Sequence, residues 1–481
     1  MKRNILNLII ISLLLNSCVQ TQPLDLTEHV AEGNLSNISG TRLSGRPVYD
    51  PGEIVDYIAQ TGDTLEALAQ HFNTSVSEII AKNPDIPADA TTMPPGMPMK
   101  IPIYYLPLWG PSFQIIPDNL FVNGPSSIVF DTDEFISSHP GWLKNYHAYA
   151  ADQIRSASEI IDLVALNFSV SPQILLAVIE YKSKGLSDPT QPETEFFLEY
   201  RDYDHEGLYL QLVWAANLLN NGYYSWRTGH IKSFEHPDGT LERPDPWQNA
   251  ATVAIQGFFL DESMESYQLA IGPDGIFKIF SELFGDPWDL ADPHIPVSLQ
   301  QPFFKLPFPP GESWTYTGGP HSGWGTLEPY AGIDFAPPLT EGGCTPTDLW
   351  TTAIANGEIV RSETGIVVLD LDGDGDERTG WNIFYLHIGT DGRISQGELV
   401  KQGDRIGHPS CEGGRTTGTH IHIARKYNGE WIPASGTLAF NLEGWVAHDG
   451  AMPYLGTLTK GSETIIACDC SNLASRITAG E

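Results

Sequence analysis

The sequence predicts a multidomain protein: a small βααβ module, an α-helical middle domain and a C-terminal, mainly antiparallel β domain. Three observations predict it. Near the N-terminal end, Leu65, Leu68, Ala69 and Phe72, then Val76, Ile79 and Ile80, recur at helical spacing between two strand-like runs. Helical patterns dominate from about 141 to 290. Beyond residue 312, short β-branched runs alternate with glycine turns, as in "YAGIDFAPP", "GIVVLDL" and "GTHIHIARKY". A length of 481 residues accommodates two to four domains.

Composition narrows the partners. With 41% hydrophobic and 18% charged residues, the chain is globular rather than disordered. The formal net charge of −34 leaves no basic stripe to neutralise phosphates, which excludes nucleic acid. It also excludes loose docking on an anionic lipid surface. So much acid suits solubility in an exposed, cation-rich setting.

The first residues form a targeting segment. Lys2 and Arg3 precede an apolar run from Ile5 to Leu15, far short of the ~20 residues that span a bilayer. "LLNSC" then places Cys18 after the small Ser17 and resembles the lipobox of bacterial lipoproteins. The resemblance implies cleavage before Cys18, lipidation of its sulfur and a lipid anchor on the outer side of the membrane. The alternative is ordinary secretion. On either reading the mature chain lies where disulfides persist.

The boundaries follow from composition: signal peptide 1–17, flexible linker 18–52, βααβ module 53–103, Pro/Gly-rich linker 104–140, helical domain 141–290, Pro-rich linker 291–312, β domain 313–460 and tail 461–481. In the module, "YIAQTGDTLEALAQHFNTSVSEIIAKNPDI" reads strand, turn, helix, turn, helix, with Ser75 before the second helix and "GMPMKIPI" as the closing strand. Gly62-Asp63-Thr64-Leu65, Ala69, Phe72, Asn83-Pro84 and Ile101-Pro102 make it similar to the LysM domain. That resemblance implies binding to N-acetylglucosamine-containing glycans, chiefly peptidoglycan.

In the helical domain, Ile154, Ile161, Val164 and Phe168 mark one apolar face. "SPQILLAVIEYKSKG" opens with a Ser cap and Pro at the first helical position. This stretch resembles the first catalytic helix of lysozyme-like lytic transglycosylases. Aligning Ala177 and Ser183 puts Lys182 where that family has its catalytic Glu. An ammonium group is a poor general acid for a glycosidic oxygen, and Glu180 lies about 200° around the helix from that position. A transglycosylase-like domain without catalysis is therefore expected. The aromatic run "NNGYYSWRTG" suits core packing better than sugar stacking.

The β domain carries the chemistry. On a strand, side chains alternate, so His420 and His422 of "GTHIHIA" project from one face. "FYLHI" adds His387 and "GIDFAPP" adds Asp334. Together with "AIANGEIV" and "GDRIGHPSCEGGRTTGTHIHI", these strings resemble the lysostaphin-type zinc metallopeptidases over about 150 residues. The family implies an antiparallel sheet with a groove across one face and cleavage of peptide bonds in peptidoglycan stems or cross-bridges.

One departure needs resolving. Many members take their first ligand four residues before the Asp, where this chain has Tyr330. The beta-lytic and staphylolytic branch takes it from an earlier Gly-Gly-x-His loop, and "GGPHSGWG" fits that form. The resemblance then implies Zn2+ on His321, Asp334 and His422, with His387 and His420 as catalytic residues. Which of those two takes the proton stays open. Tyr330 and His408 read as loop and turn residues.

Two further features stand beside the site. Of the four cysteines left after Cys18, Cys344 and Cys411 flank it in loops and are the expected disulfide, with Cys468 and Cys470 unassigned. Asp370, Asp372 and Asp374 follow the start of a calcium loop, but Trp381 stands where its closing Glu belongs, so Ca2+ and a plain hairpin turn both remain open. The function expected is a surface-anchored peptidoglycan endopeptidase. The alternative is a non-catalytic peptidoglycan-binding lipoprotein that regulates other wall hydrolases.

Overall fold

The computed structural model describes residues 46–468 and 473–480, apart from 88, 105, 107 and 340. The expectations for the signal peptide, for lipidation at Cys18 and for Cys470 lie outside the described residues. Among the described residues no helix is long and apolar enough to cross a membrane.

The βααβ module forms as its sequence directs. Strand β1 (Glu53–Ile58) pairs antiparallel with β2 (Pro98–Ile103), Val55 opposite Ile101. Between them, α1 (Leu65–His71) is capped by Thr64, whose hydroxyl accepts from Ala67 N–H. Helix α2 (Val76–Lys82) opens on a capping box of Ser75 and Glu78. Leu68, Phe72, Ile79 and Ile101 close the core between sheet and helices.

The helical domain begins earlier than composition implied. The stretch 104–140, expected as a linker, carries α3 (Asp118–Phe121) and α4 (Thr132–Ser137). Ile115, Ile116, Leu120 and Phe121 are buried in the helical core. Ile154 is a second difference. It is exposed in a hairpin of His147–Ala150 with Gln153–Ser156, because the helix, capped by Ser156, starts only at Ala157. Helix α5 (Ala157–Phe168) follows, then α6 (Pro172–Ser183) behind its Ser171 cap. Long α7 (Leu208–Arg227) packs on α8 (Ala250–Phe258), and α9 (Met264–Ile271) and α10 (Ile276–Phe284) complete the domain. The α7–α8 crossing is close enough that a Cβ on Gly222 would stand 2.8 Å from Ala254 Cα. Tyr223, Tyr224 and Trp226 are all buried, as the core-packing reading required.

The C-terminal domain is built on one antiparallel sheet. Its strands are β3 (Ser313–His321), β4 (Gly332–Ala336), β5 (Gly357–Glu363), β6 (Gly365–Asp370), β7 (Trp381–Ile388), β8 (Leu399–Val400), β9 (Ile421–Tyr427) and β10 (Glu430–Trp431). A second sheet holds β11 (Asn441–Leu442), β12 (Trp445–Asp449), β13 (Gly456–Lys460) and β14 (Glu463–Ile466) in that order. Strand β15 (Arg476–Thr478) returns to the first sheet beside β3, so the main order is β8-β5-β6-β7-β9-β4-β3-β15, with β10 on β9. The segments expected as linker and tail therefore belong to the domain. Phe304, Leu306 and Phe308 lie in its core, and β14 and β15 lie within 461–481.

Alternation along the strands gives the sheet two different faces. Ile383, Tyr385, Ile421 and Ile423 enter the β-domain core. Phe384, Leu386 and Ala424 point the other way and join the helical-domain core, together with Trp431. His422 alternates with Ile421 and Ile423, so it lies on the face that the helical domain partly covers.

Candidate metal centre

Four adjacent strands present the site. His321 ends β3 opposite Gly332, and Asp334 on β4 stands opposite His422 on β9. On β7, Leu386 faces His422, which puts His387 one residue further along. Two glycines make the convergence possible. A Cβ on Gly332 would lie 2.1 Å from His422 Cε1, and one on Gly318 would lie 2.5 Å from Asp334 Oδ2. Gly332→Ala is expected to push the His422 ring aside and weaken metal binding tenfold or more, a loss of about 1.4 kcal/mol or greater. Competition with a fluorescent metal chelator measures it.

The donor atoms converge. His321 Nε2 is 2.9 Å from His422 Nδ1 and 3.2 Å from Asp334 Oδ1, and His422 Nδ1 is 3.1 Å from the same oxygen. Ligand atoms on a tetrahedral zinc, about 2 Å from the ion, stand about 3.3 Å apart. The outer hydrogen bonds fix the tautomers. His321 Nδ1 donates to Gly319 O at 2.8 Å, and His422 Nε2 donates to Gly323 O at 3.0 Å. In neutral rings this leaves both inward nitrogens as lone pairs aimed at each other and at a carboxylate. A cation belongs between them, and the residues fit a metal ion.

The electrostatics agree. Burial pushes Asp334 up, but the imidazoles of His321 and His420 outweigh it and hold the carboxyl well below its usual range. Burial lowers His422. It also lowers His321, but there the Asp334 charge prevails and the net direction is up. The ionised carboxylate thus attracts a proton or a metal to the same slot.

Beside the three ligand candidates stand two more imidazoles. The His387 and His420 rings are 4.5 Å apart, and His420 Nε2 is 3.8 Å from Asp334 Oδ2. His420 Nδ1 is engaged by Gly418 O at 2.7 Å, and His387 Nδ1 by Glu412 O at 2.8 Å. Both Nε2 atoms are left to face the site. Burial, reinforced by His420, lowers His387 to about 4, so it is neutral near pH 7 and able to accept a proton. His387 holds φ at +66°, a conformation that costs a non-glycine residue on the order of 1–3 kcal/mol.

Two contributors escaped the sequence reading. Tyr454, on the loop between β12 and β13, stacks on His321 with ring centroids 4.1 Å apart. Glu412 reaches His387 through its backbone. Tyr454 lies in no motif, and Glu412 lies inside a motif string without being singled out there.

The other sequence candidates fall elsewhere. The Cys344–Cys411 disulfide is formed. His408 bonds Leu349 O and packs on Trp350, as a turn residue does, and Tyr330 O accepts from Ala434 N–H. The carboxylates of Asp370, Asp372 and Asp374 gather at the β6–β7 turn. They close it by accepting backbone N–H groups of Asp372, Asp374, Gly375 and Asp376. Each acid is thus used in turn formation, and the Ca2+ expectation finds no support beyond the cluster itself.

A β-sheet site of two imidazoles and a carboxylate, with two further imidazoles beside it, has the make-up of a metallopeptidase centre. Comparison with known proteins leads to that class. Residues 57–102 match the LysM domain and residues 114–298 match the LasA N-terminal domain. The chain is 25% identical over 338 residues to protease LasA of Pseudomonas aeruginosa, across 66% of this chain and 75% of that protein. It is 28% identical over 144 residues to the beta-lytic metalloendopeptidase of Achromobacter lyticus, across 28% of this chain and 35% of that protein. The solved M23 metalloprotease pseudoalterin aligns with 35% of this chain and 96% of its own at 23% identity, with a TM-score of 0.30. The chain therefore carries a LysM domain and a LasA-like N-terminal domain and is homologous to LasA and the beta-lytic metalloendopeptidases.

The helical domain is thus LasA-like. In it, the two residues weighed for glycosidic chemistry are bound to other groups of the chain. Lys182 pairs with Glu199 and Glu262, and Glu180 accepts from Leu186 N–H and the Ser187 hydroxyl. Lys182 thus ties α6 to two other segments, and Glu180 holds the chain just beyond α6.

Proposed function

We propose that this protein is a cell-wall-binding zinc metalloendopeptidase that hydrolyses peptide bonds in peptidoglycan stem peptides or cross-bridges. The observation that carries the proposal is the tautomer-fixed convergence of His321 Nε2, Asp334 Oδ1 and His422 Nδ1. Homology to LasA and to the beta-lytic metalloendopeptidases supports it. The LysM domain supports a wall glycan as the anchoring partner. The compartment is the bacterial envelope outside the cytoplasm, with a lipid anchor at Cys18.

His321, Asp334 and His422 hold the metal. Bound there, zinc supplies a Lewis acid that polarises the scissile carbonyl and lowers the pKa of water toward neutrality. His387 and His420 do the remaining work through Nε2. One takes the proton of the attacking water, and the other, in its imidazolium form, donates a hydrogen bond to the oxygen on which charge develops. Asp334 stays ionised throughout as the third ligand, while the Gly319 and Gly323 carbonyls keep His321 and His422 oriented.

The test is zinc content of the purified protein alongside release of new amino termini from isolated peptidoglycan. About one zinc per chain and chelator-sensitive release, restored by added zinc, are expected. Zinc-free protein that binds peptidoglycan without cutting it would favour the non-catalytic regulator instead.

A further inference from the structure

We infer that Glu412 is a positioning residue for His387, acting through the short segment Ser410–Glu412 that the Cys344–Cys411 disulfide staples in place. The inference rests on the peptidase reading above and names the part of the molecule that sets one of its proton-handling groups.

His387 sits at the end of β7 in a left-handed conformation that its own strand does not impose. Three hydrogen bonds hold it there, and all come from one segment. Ser410 N–H and Ser410 Oγ–H both donate to His387 O, at 2.8 and 3.0 Å. His387 Nδ1 donates to Glu412 O at 2.8 Å. The residue between these two partners is Cys411, bonded to Cys344.

The segment is anchored at its far end as well. The Glu412 carboxylate accepts from Thr390 N–H at 2.9 Å and from the Thr390 hydroxyl at 2.5 Å. Arg393 lies 3.7 Å from the same group. Thr390 and Arg393 belong to the turn that follows β7. The chain thus leaves His387, and a side chain from the holding segment grips it just beyond. On the disulfide's other side, Gly343 O accepts from Thr419 N–H at 3.0 Å, directly before His420. One jig therefore fixes both imidazoles.

The choice of partner has a chemical consequence. A carbonyl acceptor fixes the Nδ1–H tautomer of His387, so Nε2 faces the reacting groups as a lone pair. A carboxylate in that place would also add a negative charge and favour the imidazolium. Here the carboxylate of the same residue is turned away, onto Thr390. Glu412 acts by holding its own carbonyl in position, and its charge is dispensable.

The experiment uses the full chain with its zinc. Turnover of isolated peptidoglycan, zinc content and the Nδ1–H signal of His387 in 15N-histidine-labelled protein, assigned by its loss in His387→Asn, are measured together. Glu412→Ala is expected to lower kcat about 10- to 100-fold, with KM and zinc content kept, as small misplacements of a reacting group do. The Nδ1–H signal is expected to broaden through exchange with water. Glu412→Gln keeps an acceptor for Thr390 N–H and is expected to restore most of the rate. The double variant C344S/C411S is expected to follow Glu412→Ala. A Glu412→Ala protein with parental kcat and a sharp Nδ1–H signal overturns the inference. If Glu412→Ala fails to fold or loses zinc, Thr390→Val loosens the same anchor from the other side, and an unchanged rate and signal there overturn it equally. A parent protein that does not cut peptidoglycan, but whose Nδ1–H signal still depends on Glu412, sinks the peptidase reading and leaves the positioning role standing.

Discussion

His321→Ala is expected to yield a folded protein that neither retains zinc nor cleaves peptidoglycan at a measurable rate. The loss should reach at least a thousandfold in kcat/KM, about 4 kcal/mol of transition-state stabilisation. The reason lies in the donor set. Removing one imidazole leaves Asp334 and His422, and two protein ligands hold zinc far less tightly than three. The fold should survive, because His321 ends its strand and its backbone pairing with Gly332 does not depend on the side chain. Unchanged circular dichroism, together with absent zinc by atomic absorption, checks both halves. If His321→Ala kept zinc and activity, the first ligand would have to come from elsewhere and the proposed centre would be wrong.

How far this site could be read in advance depends on what kind of signal each residue leaves. His420 and His422 announce themselves through the period of a strand, and Asp334 and His387 through flanking runs that pair in the sheet. His321 is legible only as a motif. What places it is a register shift between Gly318 and His321 on β3, which no local pattern encodes. Tyr454 and Glu412 come from loops between strands, where side-chain direction has no period, so even Glu412, inside a motif string, shows no sign of its partner.

The same limit governs the fold. The LysM module was readable because its caps and apolar spacing are local. The stretch 104–140 was not, because its short helices owe their order to burial of Ile115, Ile116 and Phe121 against distant partners. Its prolines and glycines mark turns between buried pieces rather than a free linker. The motif residues of the helical domain carry less information for a related reason. An apolar helix with a polar end is common to many helical cores, and Lys182 and Glu180 are bound to other parts of the chain.

Arg227→Ala is expected to destabilise the whole assembly by about 3–5 kcal/mol, the usual effect of leaving a buried charge without its partner. Arg227 ends α7, buried where three regions of the chain meet. Its guanidinium pairs with Glu430 of the β domain at 3.0 Å and Asp118 of the helical domain at 3.2 Å. It also donates to Thr61 O of the LysM module. Glu430 is further bound by the Tyr223 hydroxyl at 2.8 Å and by His294 Nε2 at 2.6 Å. Without Arg227, Glu430 keeps only the His294 and Tyr223 contacts, and a buried carboxylate with so much less compensation favours protonation or parting of the regions.

The pH dependence has a definite sign. Burial pushes Glu430 up, but Arg227 and His294 outweigh it and hold it at about 2. An unfolded Glu titrates near 4.3, so the folded state binds fewer protons between those values. The contribution is full above about pH 4.3 and is lost as pH falls toward 2. Urea denaturation at pH 7, 4 and 3 should show a midpoint that falls with acid in the parent protein. Arg227→Ala should start lower at pH 7 and fall less over the same interval. The double variant R227M/E430L should recover much of the deficit, because well-packed apolar groups replace a buried ion pair at little cost. An Arg227→Ala midpoint equal to the parent's at pH 7 would mean that the three regions hold together without this charge, through packing such as His71 stacked on Trp226 at 3.6 Å.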